Sequence, residues 1–153
     1  LIHENMYRYT GWRFLSLGRA LERALGSADL LAEFAEPGAR HGGLHLALEV
    51  ADSIMVHRRH YGVAISRESV IDLLALDELN PRSLRSQLDQ IHEQVQLLPA
   101  AAAIAHAPLR ALTQGLRRNL RAQHAHTLDA GALRSIWLEL SQVSSALTSA
   151  YLR

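Results

Sequence analysis

Between Trp12 and Ala35, the residues Phe14, Leu17, Leu21, Ala24, Ala28, Leu31 and Ala35 recur at alternating steps of three and four. Only a helix buries such a set together, because successive residues of a strand point to opposite faces. A seam on one side of so long a helix needs other elements packed along its length. No later segment shows sustained period-two alternation, so those elements are helices as well. The expected fold is all-α: a single domain, an antiparallel bundle of five to six helices. At 153 residues the chain is long enough for one full hydrophobic core.

The remaining elements follow from their breaks. Glu36, Pro37 and Gly38 stop the first helix, and Gly42-Gly43 extends the loop. A second helix is expected from Leu44 to Arg59, apolar at Leu44, Leu48, Ala51, Ile54 and Met55, ending before Gly62. Ser66 caps a short third helix with Glu68 in its first turn and Val70, Ile71, Leu74 and Leu76 buried. Asn80-Pro81 reads as the N-cap and first residue of a fourth helix with Leu84, Leu88, Ile91, Val95 and Leu98 inside, stopped by Pro99. Ala100 to Ala107 is ambiguous. Pro108 opens a fifth helix carrying Leu109, Leu112, Leu116 and Leu120, with Arg117, Arg118 and Arg121 at its end. Asp129 caps the last, whose stripe is Leu133, Trp137, Leu140, Leu147 and Tyr151.

Composition removes several chemistries. Cysteine is absent, which excludes disulfides, thiolate catalysis and thiolate zinc sites. Lysine is absent too, all 16 basic residues being Arg, so there is no Schiff-base lysine and no phosphate-loop lysine. A net charge of +1 gives no global field for nucleic acid or anionic membrane. Apolar runs fall far short of the roughly 20 residues of a membrane span, and Leu1 to His3 do not begin a signal peptide. The chain is therefore read as cytoplasmic. Because it opens with Leu1 rather than Met, it is also read as a piece of a longer protein or as a chain whose start is missing.

Nine histidines raise the question of a metal. His92-Glu93 is followed by Gln96 where H-E-x-x-H needs its second His, and no Glu-x-x-His pair occurs. His45, Glu49 and Asp52 share one helical stripe but would need a ligand from another helix. No metal site is expected. Three charged clusters remain. Arg19, Glu22 and Arg23 lie on the first helix away from its seam, with Arg19 beside both others. The second cluster is Asp52, Arg58, Arg59, His60 and Tyr61, where cations match a helix C-terminus. The third is Asp77, Asn80, Arg82, Ser83 and Arg85, where two Arg occupy the first turns of the fourth helix, opposite to the dipole preference. Asp77 or Glu78 could offset that charge, as could a bound anion.

These clusters carry a resemblance. Gly11-Trp12-Arg13-Phe14-Leu15 and Leu17-Gly18-Arg19-Ala20-Leu21-Glu22-Arg23-Ala24 resemble the first block of the alpha-E domain, named for its helices and a Glu-Arg motif. Asp52-Ser53 with Arg58-Arg59-His60-Tyr61 resembles the second. Leu73-Leu74 through Asp77, then Asn80-Pro81-Arg82-Ser83-Leu84 and Gln87-Leu88, resembles the third. Order and spacing agree from Asn5 to Leu98, and the tail fits more loosely through Ala150-Tyr151-Leu152. One departure is Ala20, where family members often carry a charge. The resemblance implies a helical bacterial domain accompanying an ATP-grasp protein of permuted type, in cis or in trans, often with a transglutaminase-like protein. Those systems look like peptide or amide ligation machinery. ATP and Mg would sit on that partner, with no cofactor in this domain. The Asn5-Met6 to Trp12 opening resembles the second of two related halves, making this the C-terminal part of a longer chain.

The first functional expectation is a non-catalytic module for that ligase or its substrate, with Glu22, Arg23, Arg59 and Arg82 as contacts and Arg19, Glu22, Asp52, Arg59 and Arg82 converging in one polar pocket; Arg23, Arg58, Tyr61, Asp77, Asn80 and Ser83 are its further candidates. The others are an enzyme of peptide or amide chemistry with Glu22 or Asp52 as base, and a purely architectural bundle. An exposed seam would allow a homodimer under each.

Overall fold

The computed structural model describes residues 2–36, 42–98 and 103–151, with side chains from 11–36, 42–98 and 106–151. Its elements are α1 (Ile2–Phe34), α2 (Gly43–Val50), α3 (Ile54–Tyr61), α4 (Arg67–Ile71), α5 (Leu84–Gln96), α6 (Ala103–Arg121) and α7 (Ala130–Tyr151). A π-helical turn, Asp72–Leu76, continues α4. No strand occurs among the described residues, so the all-α expectation holds.

Four long helices make the bundle. Helices α5 and α7 each pack against both α1 and α6. Side-chain pairs fix the sense of α5 and α6: Asp89 pairs with Arg117 at 2.8 Å and Arg121 at 3.4 Å, His92 Nδ1 lies 2.8 Å from the Thr113 hydroxyl, and His106 Nε2 donates to the Val95 carbonyl at 2.7 Å. Rising numbers on one helix meet falling numbers on the other, so the two are antiparallel. The α1 seam is buried from Leu17 to Ala35, and its alanines 20, 24, 28 and 32 are at most 1% exposed. Small residues there let α5 and α7 approach the α1 backbone closely. Phe14 caps the seam edge-on against Tyr151, ring centroids 5.2 Å apart.

Helices α2 to α4 form a smaller layer, with α2 touching α1, α3 and α4. Gly42, at φ 84°, precedes α2, and a Cβ on Gly43 would sit 2.9 Å from the Phe34 carbonyl oxygen. Only glycine allows the chain to return that close to the end of α1. Arg67 ties this layer to the α6–α7 connection by donating to the Ala125 and Leu128 carbonyls at 2.8 and 2.6 Å.

Several expected boundaries shift. The helix expected over Leu44 to Arg59 is two helices. Ser53 N–H bonds the Leu48 carbonyl and Asp52 N–H the Glu49 carbonyl, closing α2 in a Schellman motif. Asp52 occupies its left-handed position at φ 50°, where glycine is usual. The Ser66 cap stands, accepting from Ser69 N–H at 3.1 Å in a reciprocal capping box. The cap of α5 is Ser83, which accepts from Ser86 N–H at 3.1 Å, three residues beyond Asn80. Pro108 lies inside α6 rather than at its start, so it leaves one carbonyl of the preceding turn without its intrahelical donor. Asp129 caps α7 through Ala132 N–H at 2.8 Å. The buried stripe of α7 takes Ile136 and Val143, whereas Trp137 is 39% exposed. The expected breaks at Pro37-Gly38 and at Pro99, with Ala100 to Ala102, lie outside the described residues.

Two buried histidines couple stability to pH. His57 lies within hydrogen-bonding distance of the Ser69 hydroxyl, at 2.7 Å, and stacks on Tyr61. Ser69 already donates to the Ser66 carbonyl, so His57 Nε2 carries the proton in this bond. His92 sits between Thr113 and Gln96 in the same manner. Burial lowers both pKa values from 6.5, and for His92 the charges of Arg117 and Arg110 lower it further. Unfolding releases this constraint, so the unfolded chain binds protons first as pH falls. Stability is therefore full above about pH 6.5 and declines below it, toward the depressed folded values. Burial and Glu68 raise the pKa of Asp72, which acts in the opposite sense. Urea midpoints measured between pH 7.5 and 5 should fall, and the double variant His57→Gln/His92→Gln should flatten that fall.

Candidate functional site

A cleft of about 670 Å³ opens where α1, the end of α2 and the start of α5 meet. Arg23, Gly26, Ser27 and Leu30 form its α1 wall. Their spacing of i, i+3, i+4 and i+7 is one stripe of a helix, lying beside the buried seam. Val50, Ala51 and Asp52 come from the end of α2, and Pro81, Arg82 and Gln87 from the approach to α5. One or more residues from each of the three sequence blocks thus line the same hollow.

Arg82 organises the junction. Its Nη1 donates to the Asp52 carbonyl at 2.5 Å, lies 3.4 Å from the Ala51 carbonyl, and pairs with Asp52 Oδ2 at 2.8 Å. Arg82 precedes the α5 cap, so the dipole conflict expected at the start of that helix does not arise for it, whereas Arg85 remains in the first turn. Arg82 instead meets the C-terminal end of α2, whose carbonyls favour a cation. Arg85 pairs with Glu78 at 3.1 Å. Both Arg side chains near this helix start thus have a carboxylate partner, Asp52 for Arg82 and Glu78 for Arg85.

The loop beneath is held by polar side chains. Asn80 donates to the Leu73 carbonyl at 2.9 Å and accepts from Arg82 N–H at 3.1 Å. The Ser83 hydroxyl donates to the Asp77 carbonyl at 2.5 Å, and Asp77 Oδ1 accepts from Leu79 N–H at 2.9 Å. Gln87 Nε2 donates to the Pro81 carbonyl at 2.9 Å, while its Oε1 is buried without a partner.

The single expected pocket is only partly assembled. Arg23, Asp52 and Arg82 meet at the cleft, but Arg19, Glu22 and Arg59 are exposed and do not line it. Arg19 lies on the Arg23 stripe one turn nearer the N-terminus, beyond the rim. Glu22 is rotated about 100° from Arg23. Arg58 lines a separate small hollow with His45 and His57. Burial, then Asp72 and Asp77, raise the Tyr61 pKa. His45 pairs with Glu49 at 3.3 Å rather than with Asp52, and no group of three or more metal-ligating side chains occurs among the described residues. No described helix is long and apolar enough to cross a membrane.

Gly26, Ser27 and Leu30 were recoverable by stepping three, four and seven residues from Arg23. The unpartnered Gln87 oxygen had no sequence signal. Gly26 has open space where a Cβ would stand. Gly26→Ala should therefore raise stability by about 0.5–1 kcal/mol through helix propensity, read as a higher urea midpoint.

The sole Glu-Arg dipeptide of the chain, Glu22-Arg23, sits mid-helix with Arg23 at the cleft. A family model described as a predicted alpha-helical domain with a conserved ER motif matches residues 1–152. The chain belongs to the Alpha-E family. Among curated relatives, an uncharacterized protein of Mycobacterium bovis and two of Mycobacterium tuberculosis are each 25% identical over 148 residues. The match covers 94% of this Alpha-E chain but only 16% of each relative. No solved structure matches it.

Proposed function

We propose that this Alpha-E domain is a non-catalytic recognition module, serving an ATP-grasp-type peptide or amide ligase by holding the ligase or its substrate at the α1–α2–α5 cleft. The observation that supports it is the meeting of Arg23, Asp52 and Arg82, one from each sequence block, around one hollow. The carboxylate there is paired with Arg82, which also binds the carbonyls at the end of α2, an arrangement suited to shaping the rim of the hollow. Without Cys or Lys the chain also lacks the two strongest side-chain nucleophiles. The relatives extend far beyond this domain, which leaves room for a catalytic partner in cis, or the partner acts in trans. ATP and Mg would remain on that partner, a transglutaminase-like protein could accompany it, and the domain would be the C-terminal part of a bacterial cytoplasmic assembly.

Calorimetric titration with the ATP-grasp portion tests this reading. Micromolar binding is expected, with at least tenfold loss in Arg23→Ala and little change in Glu22→Ala. No binding between two folded proteins would overturn it.

A further inference from the structure

Charges at the cleft do not cancel. Arg82 is paired with Asp52, so those two charges offset each other. Arg23 is exposed and makes no ion pair or hydrogen bond among the described residues. The cleft therefore presents one uncompensated guanidinium, whose planar fork matches a carboxylate by two parallel bonds.

A second and independent feature is Gln87. It is 5% exposed, and the bond from its Nε2 to the Pro81 carbonyl fixes which way the amide points, because a carbonyl accepts only from the N–H side. That leaves Oε1 as an acceptor with no donor of its own, just beneath the cleft wall, where a ligand reaches it once the side chain turns outward. Buried acceptors of this kind are rare, and leaving one unmade is unfavourable. The remaining wall is small or apolar at Gly26, Leu30 and Val50.

From this we infer that the cleft binds a peptide C-terminus: a carboxylate on Arg23, the adjacent amide N–H on Gln87 Oε1, and a small apolar side chain against Leu30 and Val50. The pairing of one net positive charge with one unpaired acceptor selects a monoanion that also carries a donor. A free phosphate satisfies the guanidinium, and its monoanion also carries a donor, but it brings no apolar group for Leu30 and Val50. A C-terminal amide satisfies Gln87 but not Arg23. This specificity rests on the recognition-module reading and names the ligand for the same cleft.

The test is a titration of the ¹⁵N-labelled protein with N-acetyl-alanyl-alanine, its C-terminal amide, and inorganic phosphate, followed by amide shifts. The free acid is expected to saturate and to move residues on both sides of the cleft, with the amide and phosphate at least tenfold weaker. Arg23→Gln should reduce acid binding at least tenfold. Gly26→Leu should weaken it at least tenfold by setting an isobutyl group on the α1 wall of the cleft, at a position where a Cβ meets nothing within 4 Å. Equal binding of acid and amide, equal binding of phosphate, or no saturation with the acid would each overturn the inference. Acid binding that survives Gly26→Leu would place the ligand elsewhere and overturn it too. The two proposals separate cleanly. Failure of the acid alongside Arg23-dependent ligase binding removes the carboxylate specificity only. Acid binding without ligase binding removes the ligase association only.

Discussion

Leu17→Ala should lower stability by about 2–5 kcal/mol, whereas Leu15→Ala, two residues away on the same helix, should change it by less than about 0.5 kcal/mol. Leu17 is fully buried in α1, the helix that packs against both α5 and α7. Removing its terminal carbons leaves a cavity that neighbouring helices cannot close, since the alanines of the same seam already hold them at short range. Leu15 is 53% exposed on the opposite flank. For a domain of this size the first change corresponds to a fall in Tm on the order of 10 °C, out of a total stability of roughly 5–15 kcal/mol. Thermal and urea unfolding of both variants would check it. Equal losses at the two positions would mean that the α1 register described above is wrong.

That register was legible in the sequence because the seam has one period over many turns. The caps at Ser66 and Asp129 were legible for a local reason, since each hydroxyl or carboxylate reaches a backbone N–H three residues on. Boundaries that depend on distant partners were not. Asp52 ends α2 in a left-handed conformation usually reserved for glycine, and its carbonyl and carboxylate are held by Arg82, thirty positions later in the chain. No window of residues around position 52 contains that information. Pro108 announces a helix start by local rules, yet a turn N-terminal to it is already helical. Trp137 fits the period of α7 but lies at the edge of its buried stripe, whose inner position is taken by Ile136.

The cleft shows the same division. Its charged members were visible as charged clusters, because Arg23, Asp52 and Arg82 stand out from their surroundings by charge. Arg19, Glu22 and Arg59 stand out equally and do not join it. A one-turn shift separates Arg19 from the rim, and a 100° rotation separates Glu22 from Arg23. Spacing within one helix gives the relative angle of two residues. It does not say which angle faces α2 and α5. That choice is made by the seam, whose burial fixes the rotation of α1 and so aims Arg23 rather than Glu22 at the junction.

Asn80 carries the second large effect, because it connects the fold to the cleft. The π-helical turn Asp72–Leu76 leaves the Leu73 carbonyl to be satisfied from outside, and the Asn80 amide supplies that donor at 2.9 Å. Its oxygen meanwhile accepts from the Arg82 backbone, setting where the guanidinium begins. Asn80→Ala removes both bonds and leaves a carbonyl unsatisfied in a buried setting, with an expected loss of about 2–3 kcal/mol. Asn80→Asp should be at least as damaging at neutral pH. It keeps the acceptor toward Arg82 but sets a carboxylate oxygen against the Leu73 oxygen, two acceptors with no proton between them. Protonation restores a donor, so the folded pKa of this introduced carboxyl would stand above its unfolded value of about 3.9. Its stability is then recovered as pH falls and lost as pH rises through that window, a dependence that Asn80→Ala does not share. Urea midpoints of the two variants, each compared with wild type at pH 7.5 and pH 4.5, measure the difference directly. Parallel behaviour of the two would show that the amide-to-carbonyl bond is not what holds this turn. Because Arg82 moves with Asn80, both variants should also weaken whatever the cleft binds, even at temperatures where they remain folded.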